Sequence, residues 1–249
     1  MQLRIVLLAV VLLWASPATA AGEPITVRFT EGVTRGFPVL RSVRGETLAN
    51  GDLIQVARGG QVESRMTFRF RDGSLYDETV VYTQSGVFTL QSYRLVQRGP
   101  SFPEMLEVFV DRQAERYEVR YRADRESDEE THRGRITLPG DAYNGMLALL
   151  VKNLVPGQTR TVQIMAFTPK PRLVKMLLAP AGRDPVLIGG ATHETTRYRL
   201  TPQLGLFASL LVADLPDIHC WILAGEAPGF VRFEGPLYFM GPVWRIEPS

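Results

Sequence analysis

The chain has 249 residues, 28 basic and 26 acidic side chains and one cysteine, giving a formal charge of only +2. Near-neutrality removes the electrostatic basis for nucleic-acid binding, which needs basic groups gathered on one face. A single cysteine excludes an intramolecular disulfide, so ordinary apolar burial must hold the fold together, and the chain is long enough for that.

The first twenty residues read "MQLRIVLLAVVLLWASPATA". Arg4 gives a basic start, Ile5 to Trp14 an unbroken apolar run, and Ala18, Thr19 and Ala20 a small-residue cleavage site. This layout predicts a secretory signal peptide over 1–20, cleaved after Ala20, because the apolar run is too short to span a bilayer. No later apolar run approaches spanning length. The expectation is a single β-rich domain over 21–249, periplasmic or secreted, with no transmembrane segment after cleavage.

Most of the chain after residue 20 alternates with period two, as strands with one buried face do. In "VESRMTFRF", Met66, Phe68 and Phe70 oppose Arg65, Thr67 and Arg69. Asp72-Gly73-Ser74 follows as a turn, and a strand over 75–83 completes a hairpin. In "ERYEVRYRA", Tyr117, Val119, Tyr121 and Ala123 point one way and Arg116, Glu118, Arg120 and Arg122 the other. Further strands are predicted over 86–96, 107–111, 160–167, 173–178, 186–188, 193–200, 218–223, 231–233 and 242–246.

"LPGDAYNGMLALLVKNLVPG" (138–157) changes to helical spacing. Met146, Leu147, Leu150, Val151 and Leu154 make one apolar stripe, and Pro156-Gly157 stops it. The predicted helix runs over about 141–154, with Asp141 as N-cap and Gly145 marking a close approach. "QLGLFASLLVADLP" (203–216) is apolar nearly all round and fits a short buried helix, a strand or an exposed loop. The C-terminal stretch, cut by Gly and Pro, brings Phe230, Phe233, Tyr238, Phe239 and Trp244 to the core or to a cavity. The fold class expected is mainly β, a curved antiparallel sheet or half-barrel wrapping one helix.

Candidate chemistry is sparse. In "DIHCW", strand alternation puts Cys220 with Ile218 and Ile222, and Asp217, His219 and Trp221 on the other face. A Cys–His dyad needs hydrogen-bond reach, which adjacent strand residues lack, so Cys220 is expected to be buried and unreactive. Asp217 could orient His219 as a general base, yet no "GxSxG" elbow supplies a nucleophile. In "ADRESDEETHRGR" (123–135), Asp124, Glu126 and Asp128 have the alternate spacing of a calcium loop. Glu129 and Arg135 stand where that loop needs Gly and Glu, so the segment reads as a solvated hairpin tip. His132, His193 and His219 lack zinc-site spacing, so no metal and no cofactor is expected.

The element order resembles that of secreted bacterial proteins built on a domain of unknown function, with a half-barrel layout similar to the periplasmic lipoprotein-carrier proteins. The residues that carry it are "LPGDAYNGMLALLVKNLVPG" followed by the strands "RTVQIMAF" and "RLVKMLLAP". The resemblance implies no catalytic residues. Three functional expectations result. The first is a non-enzymatic exported protein that binds an apolar or lipid ligand in a concave groove. The second is an envelope interaction module with a filled core and a protein partner. The third is a hydrolase using Asp217 and His219.

Overall fold

The computed structural model describes residues 22–124, 126–203 and 217–249. Segment 1–20, over which a signal peptide is expected, and almost all of 203–216 lie outside the described residues. Strands run at β1 (Thr34–Gly36), β2 (Pro38–Ser42), β3 (Thr47–Arg58), β4 (Gln61–Phe70), β5 (Leu75–Ser85), β6 (Val87–Arg98), β7 (Met105–Asp111), β8 (Arg116–Arg122) and β9 (Glu130–Arg135). The helix α1 (Leu147–Asn153) follows, then β10 (Arg160–Phe167), β11 (Pro171–Ile188), β12 (Ala191–Gln203), β13 (Ile218–Leu223), β14 (Phe230–Gly235) and β15 (Trp244–Pro248). The protein is mainly β, as its alternation predicts.

All strands join one antiparallel sheet in the order β10-β11-β12-β13-β14-β15-β2-β3-β4-β5-β6-β7-β8-β9, with β1 added on β3. The C-terminal strand β15 pairs β2, so the two ends of the chain meet in mid-sheet. The sheet is open, with β9 and β10 at its two ends. It is also strongly curled. In sheet order, β6 lies ten steps from β10, and at about 4.8 Å per step a flat sheet would hold them roughly 48 Å apart. Yet the rings of Tyr93 on β6 and Phe167 on β10 stack 6.0 Å apart and 2° from parallel. The inward face therefore closes on itself, and α1 contributes Leu150 and Val151 to the same buried core. No helix among the described residues is long and apolar enough to cross a membrane.

A bulge sets the phase of β6. Val81 pairs Ser92 while Tyr82 pairs Leu90, so Gln91 is the extra residue. Phe88 and Leu90 before it, and Tyr93, Leu95 and Gln97 after it, consequently all face inward despite their opposite parity.

Several elements depart from the sequence expectation. The first three strands lie in a region whose alternation is weak. Gly51 interrupts β3 because a Cβ there would meet the Phe68 ring at 2.6 Å. Segment 130–135 is an exposed edge strand rather than loop. The two strands expected over 173–178 and 186–188 are one strand, β11, with a bulge between Pro180 and Gly182.

The helix is shorter than the predicted 141–154, and Asp141 is not its N-cap. Met146 holds that position, without a side-chain cap. Residues 141–143 are instead extended along β10. The Tyr143 amide donates to Gln163 O at 2.8 Å, and the Gln163 amide to Asp141 O at 2.8 Å. The Asp141 carboxylate accepts from Gln163 Nε2 at 3.0 Å. Gly145, at φ +65°, turns the chain from this pairing into the helix. The N-terminal segment passes alongside. The Ile25 amide donates to the Tyr143 hydroxyl at 3.0 Å, and Asn153 Oδ1 accepts from the amides of Arg28 and Phe29 at 2.9 and 2.8 Å.

Candidate binding site on the inward face

Strand phase brings four polar side chains into the apolar interior. On β5, Tyr76 and Glu78 share the inward face with Val80 and Tyr82. On β6, Tyr93 and Gln97 share it with Leu95. Glu78 is only 8 % exposed. Its Oε1 accepts from the Tyr76 hydroxyl at 3.1 Å and the Tyr93 hydroxyl at 2.8 Å. Burial pushes the Glu78 carboxyl above its ordinary range, and the two tyrosine hydrogen bonds pull it partly back. Burial beside that carboxyl raises both tyrosines well above their usual value.

Gln97 is 1 % exposed. It lies across from Tyr76 on one side and Leu106 on the other. Among the described residues neither its Nε2 nor its Oε1 has a hydrogen-bond partner. A buried polar group left unpaired costs about 1–3 kcal/mol, so the fold bears a cost here that packing alone does not explain.

Aromatic rings surround this polar set at one end of the interior. Phe102, carried by the loop between β6 and β7, sits edge-on to Phe70 (5.3 Å), Tyr238 (5.6 Å) and Trp244 (6.1 Å). Its ring is 6.5 Å from that of Tyr76. Its other side borders a pocket of 390 Å³ whose wall includes Asp72, Arg98, Glu104 and Met105. The Phe102 ring thus lines a surface pocket and also lies beside the buried Tyr76 ring.

The raised Glu78 carboxyl has a stability consequence. A folded-state value above the unfolded one means the folded protein holds the proton longer. Its contribution is fully present below the unfolded value and is lost as pH rises through the folded one. Glu78→Gln keeps an oxygen to accept from the tyrosines and removes the charge. The variant should therefore melt higher than the wild type at pH 8, and the gap should close towards pH 4. A gap independent of pH would show that Glu78 does not titrate in the fold.

The residues singled out in the sequence lie elsewhere. Cys220 is 0 % exposed, between buried Ile218 and Ile222, and burial pushes its thiol up to about 12. A thiol reagent should fail to modify it without unfolding, and Cys220→Ala should cost about 1–2 kcal/mol, read by urea denaturation. Fast labelling of the native protein would refute the burial.

Asp217 and His219 are not hydrogen-bonded to each other. The Asp217 carboxylate is 58 % exposed and lies 3.9 Å from Arg199. His219 pairs across the strands with Arg199 and Glu234, with its ring 5.7 Å from Trp221. The other two histidines stand apart. His132 on β9 contacts Glu130 at 3.1 Å, and His193 lies on β12 at the wall of a small surface pocket. Among the described residues no cluster fits a metal ion. The Asp124 carboxylate is taken up by its own turn, accepting from the amides of Glu126 and Ser127 at 2.9 and 2.7 Å.

Sequence reasoning missed Tyr76, Glu78, Tyr93 and Gln97. A usable signal was present in "LYDETVVY", where Glu78 falls in the apolar phase of a strand, between Tyr76 and Val80. No protein-family model, curated protein or solved structure matches the chain.

Proposed function

We propose that the protein is an exported, non-catalytic binding protein that takes an apolar or lipid-like molecule onto the inward face of its curled sheet. The observation that carries this reading is the aromatic layer of Phe70, Tyr76, Phe102, Tyr238 and Trp244 beside a surface pocket, together with the buried Gln97 amide, which has no partner among the described residues. Ligand sites are concave and mostly apolar, with a few convergent polar groups to fix orientation, and this end of the interior has that composition. The hydrolase reading draws no support from Asp217 and His219, which share no hydrogen bond and border neither that pocket nor the aromatic layer.

One observation favours the second reading, a protein-interaction module. The hairpin joining β11 and β12 carries Leu187, 71 % exposed, and Ile188 at its tip. Native mass spectrometry of protein purified from its own host separates the two. A bound small molecule of lipid mass is the expected result. A clean unliganded mass, together with a stoichiometric crosslinked protein, would overturn the binding-protein reading in favour of the module.

A further inference from the structure

The chemistry of the buried polar set narrows the ligand, on the premise that the inward face is a binding site. Gln97 offers one amide donor group and one carbonyl acceptor, both without a partner among the described residues and shielded from solvent. A hydroxyl or another amide can engage both roles at once. A carboxylate or phosphate can only accept, so it would leave the Gln97 carbonyl unpaired. The remaining members of the set reinforce the choice. Glu78 is an acceptor already engaged by the hydroxyls of Tyr76 and Tyr93. An anion brought beside an ionised Glu78 would meet like charge in a water-poor interior, where repulsion is only weakly screened.

The way in is also constrained. The loop that carries Phe102 is anchored by hydrogen bonds from the Ser101 amide to Ser74 Oγ at 2.8 Å and from the Ser101 hydroxyl to Asp72 at 2.7 Å. Phe102 itself is buried by the rings it touches, and the pocket lies against it. Phe102 both lines that pocket and lies 6.5 Å from the Tyr76 ring, so its displacement would open the pocket towards Tyr76.

We infer that the inward face takes an amphiphile with a neutral, hydrogen-bond-donating head group, an amide or a hydroxyl. Gln97 pairs with the head group, and Phe102 is the side chain that swings to admit it. This extends the binding-protein reading and rests on it.

The test uses delipidated full-length mature protein loaded with N-phenyl-1-naphthylamine, a neutral apolar fluorophore, and displaced by oleamide, monoolein or oleate at pH 7.5. Oleamide and monoolein should displace the fluorophore at concentrations at least tenfold lower than oleate. Gln97→Leu should erase that preference while the fluorophore still binds, and Gln97→Met serves if the leucine variant does not fold. Phe102→Ala should speed fluorophore uptake without removing the preference. Displacement by oleate as effective as by oleamide overturns the head-group assignment. So does a preference that survives loss of the Gln97 amide. In both cases the apolar site still stands. If neither the wild type nor Phe102→Ala binds the fluorophore or any of the three amphiphiles, the binding-protein reading itself falls.

Discussion

Gly145→Ala should destabilise the protein by about 2–5 kcal/mol, the sum of two penalties. Gly145 sits at φ +65°, a left-handed conformation that costs a residue with a Cβ roughly 1–2 kcal/mol. An added Cβ would also lie 2.4 Å from Val80 Cγ2 and 2.9 Å from the Glu78 carboxyl. Neither neighbour can retreat easily. Val80 is buried in β5, and Glu78 is held by two tyrosine hydroxyls. Forcing an extra carbon into such a core costs typically about 1–3 kcal/mol. Gly157 is the control. Its φ is +79° and nothing lies within 4 Å of the Cβ position, so Gly157→Ala should show the conformational penalty alone. Urea midpoints of the two variants decide the matter. Equal losses would mean the approach of the helix to Val80 and Glu78 is looser than the geometry states.

Gly145 also shows where the sequence was readable and where it was not. The apolar stripe from Met146 to Leu154 announces a helix, and the helix is there. Its start is misplaced because periodicity registers side-chain type and not backbone dihedral. Nothing in "GDAYNG" reveals that residues 141–143 pair along β10 or that Asp141 serves Gln163 instead of a helix end. Strands with clean alternation, such as 116–122 and 218–223, were legible because one face is buried and the other wet. β3 was not, because Asn50-Gly51 imitates a turn while Gly51 in fact makes room for Phe68. β9 was not, because an exposed edge strand has no buried face to create a pattern. The bulge at Gln91 is a further case. It reverses the phase within one strand, so simple alternation would send either Leu90 or Tyr93 outward.

The candidate site was half visible. A Glu in the inward phase of "LYDETVVY" and a Gln in the inward phase of "SYRLVQR" are anomalies that the sequence displays. Their convergence is not displayed, because it depends on the pairing of β5 with β6. The placing of Phe102 over the same layer depends on still more distant events. Trp244 reaches it only because β15 pairs β2, and Tyr238 belongs to the loop before β15. Contacts that depend on a sheet curling through the five strand steps from β15 to β6 leave no local trace.

The last expectation concerns the helix. Leu150 is 0 % exposed, and α1 lies against β13 and β14. Leu150→Ala should cost about 2–5 kcal/mol, the loss of buried area plus the cavity left behind. Leu147 is only partly buried on the same helix, so Leu147→Ala should cost less than half as much. The contrast matters more than either number, because both substitutions remove the same atoms from the same helix and differ only in depth of burial. Cys220, on the strand β13 that the helix contacts, supplies a second readout. Its thiol is reachable only when the native packing opens. If opening is global, each 1.4 kcal/mol lost should speed labelling about tenfold. Labelling should then accelerate strongly in Leu150→Ala and only modestly in Leu147→Ala. Equal melting losses in the two variants would mean that the helix is rotated from the face described. A large stability loss with unchanged labelling would mean that β13 stays closed while α1 detaches, so that the helix is a separable cover on the sheet.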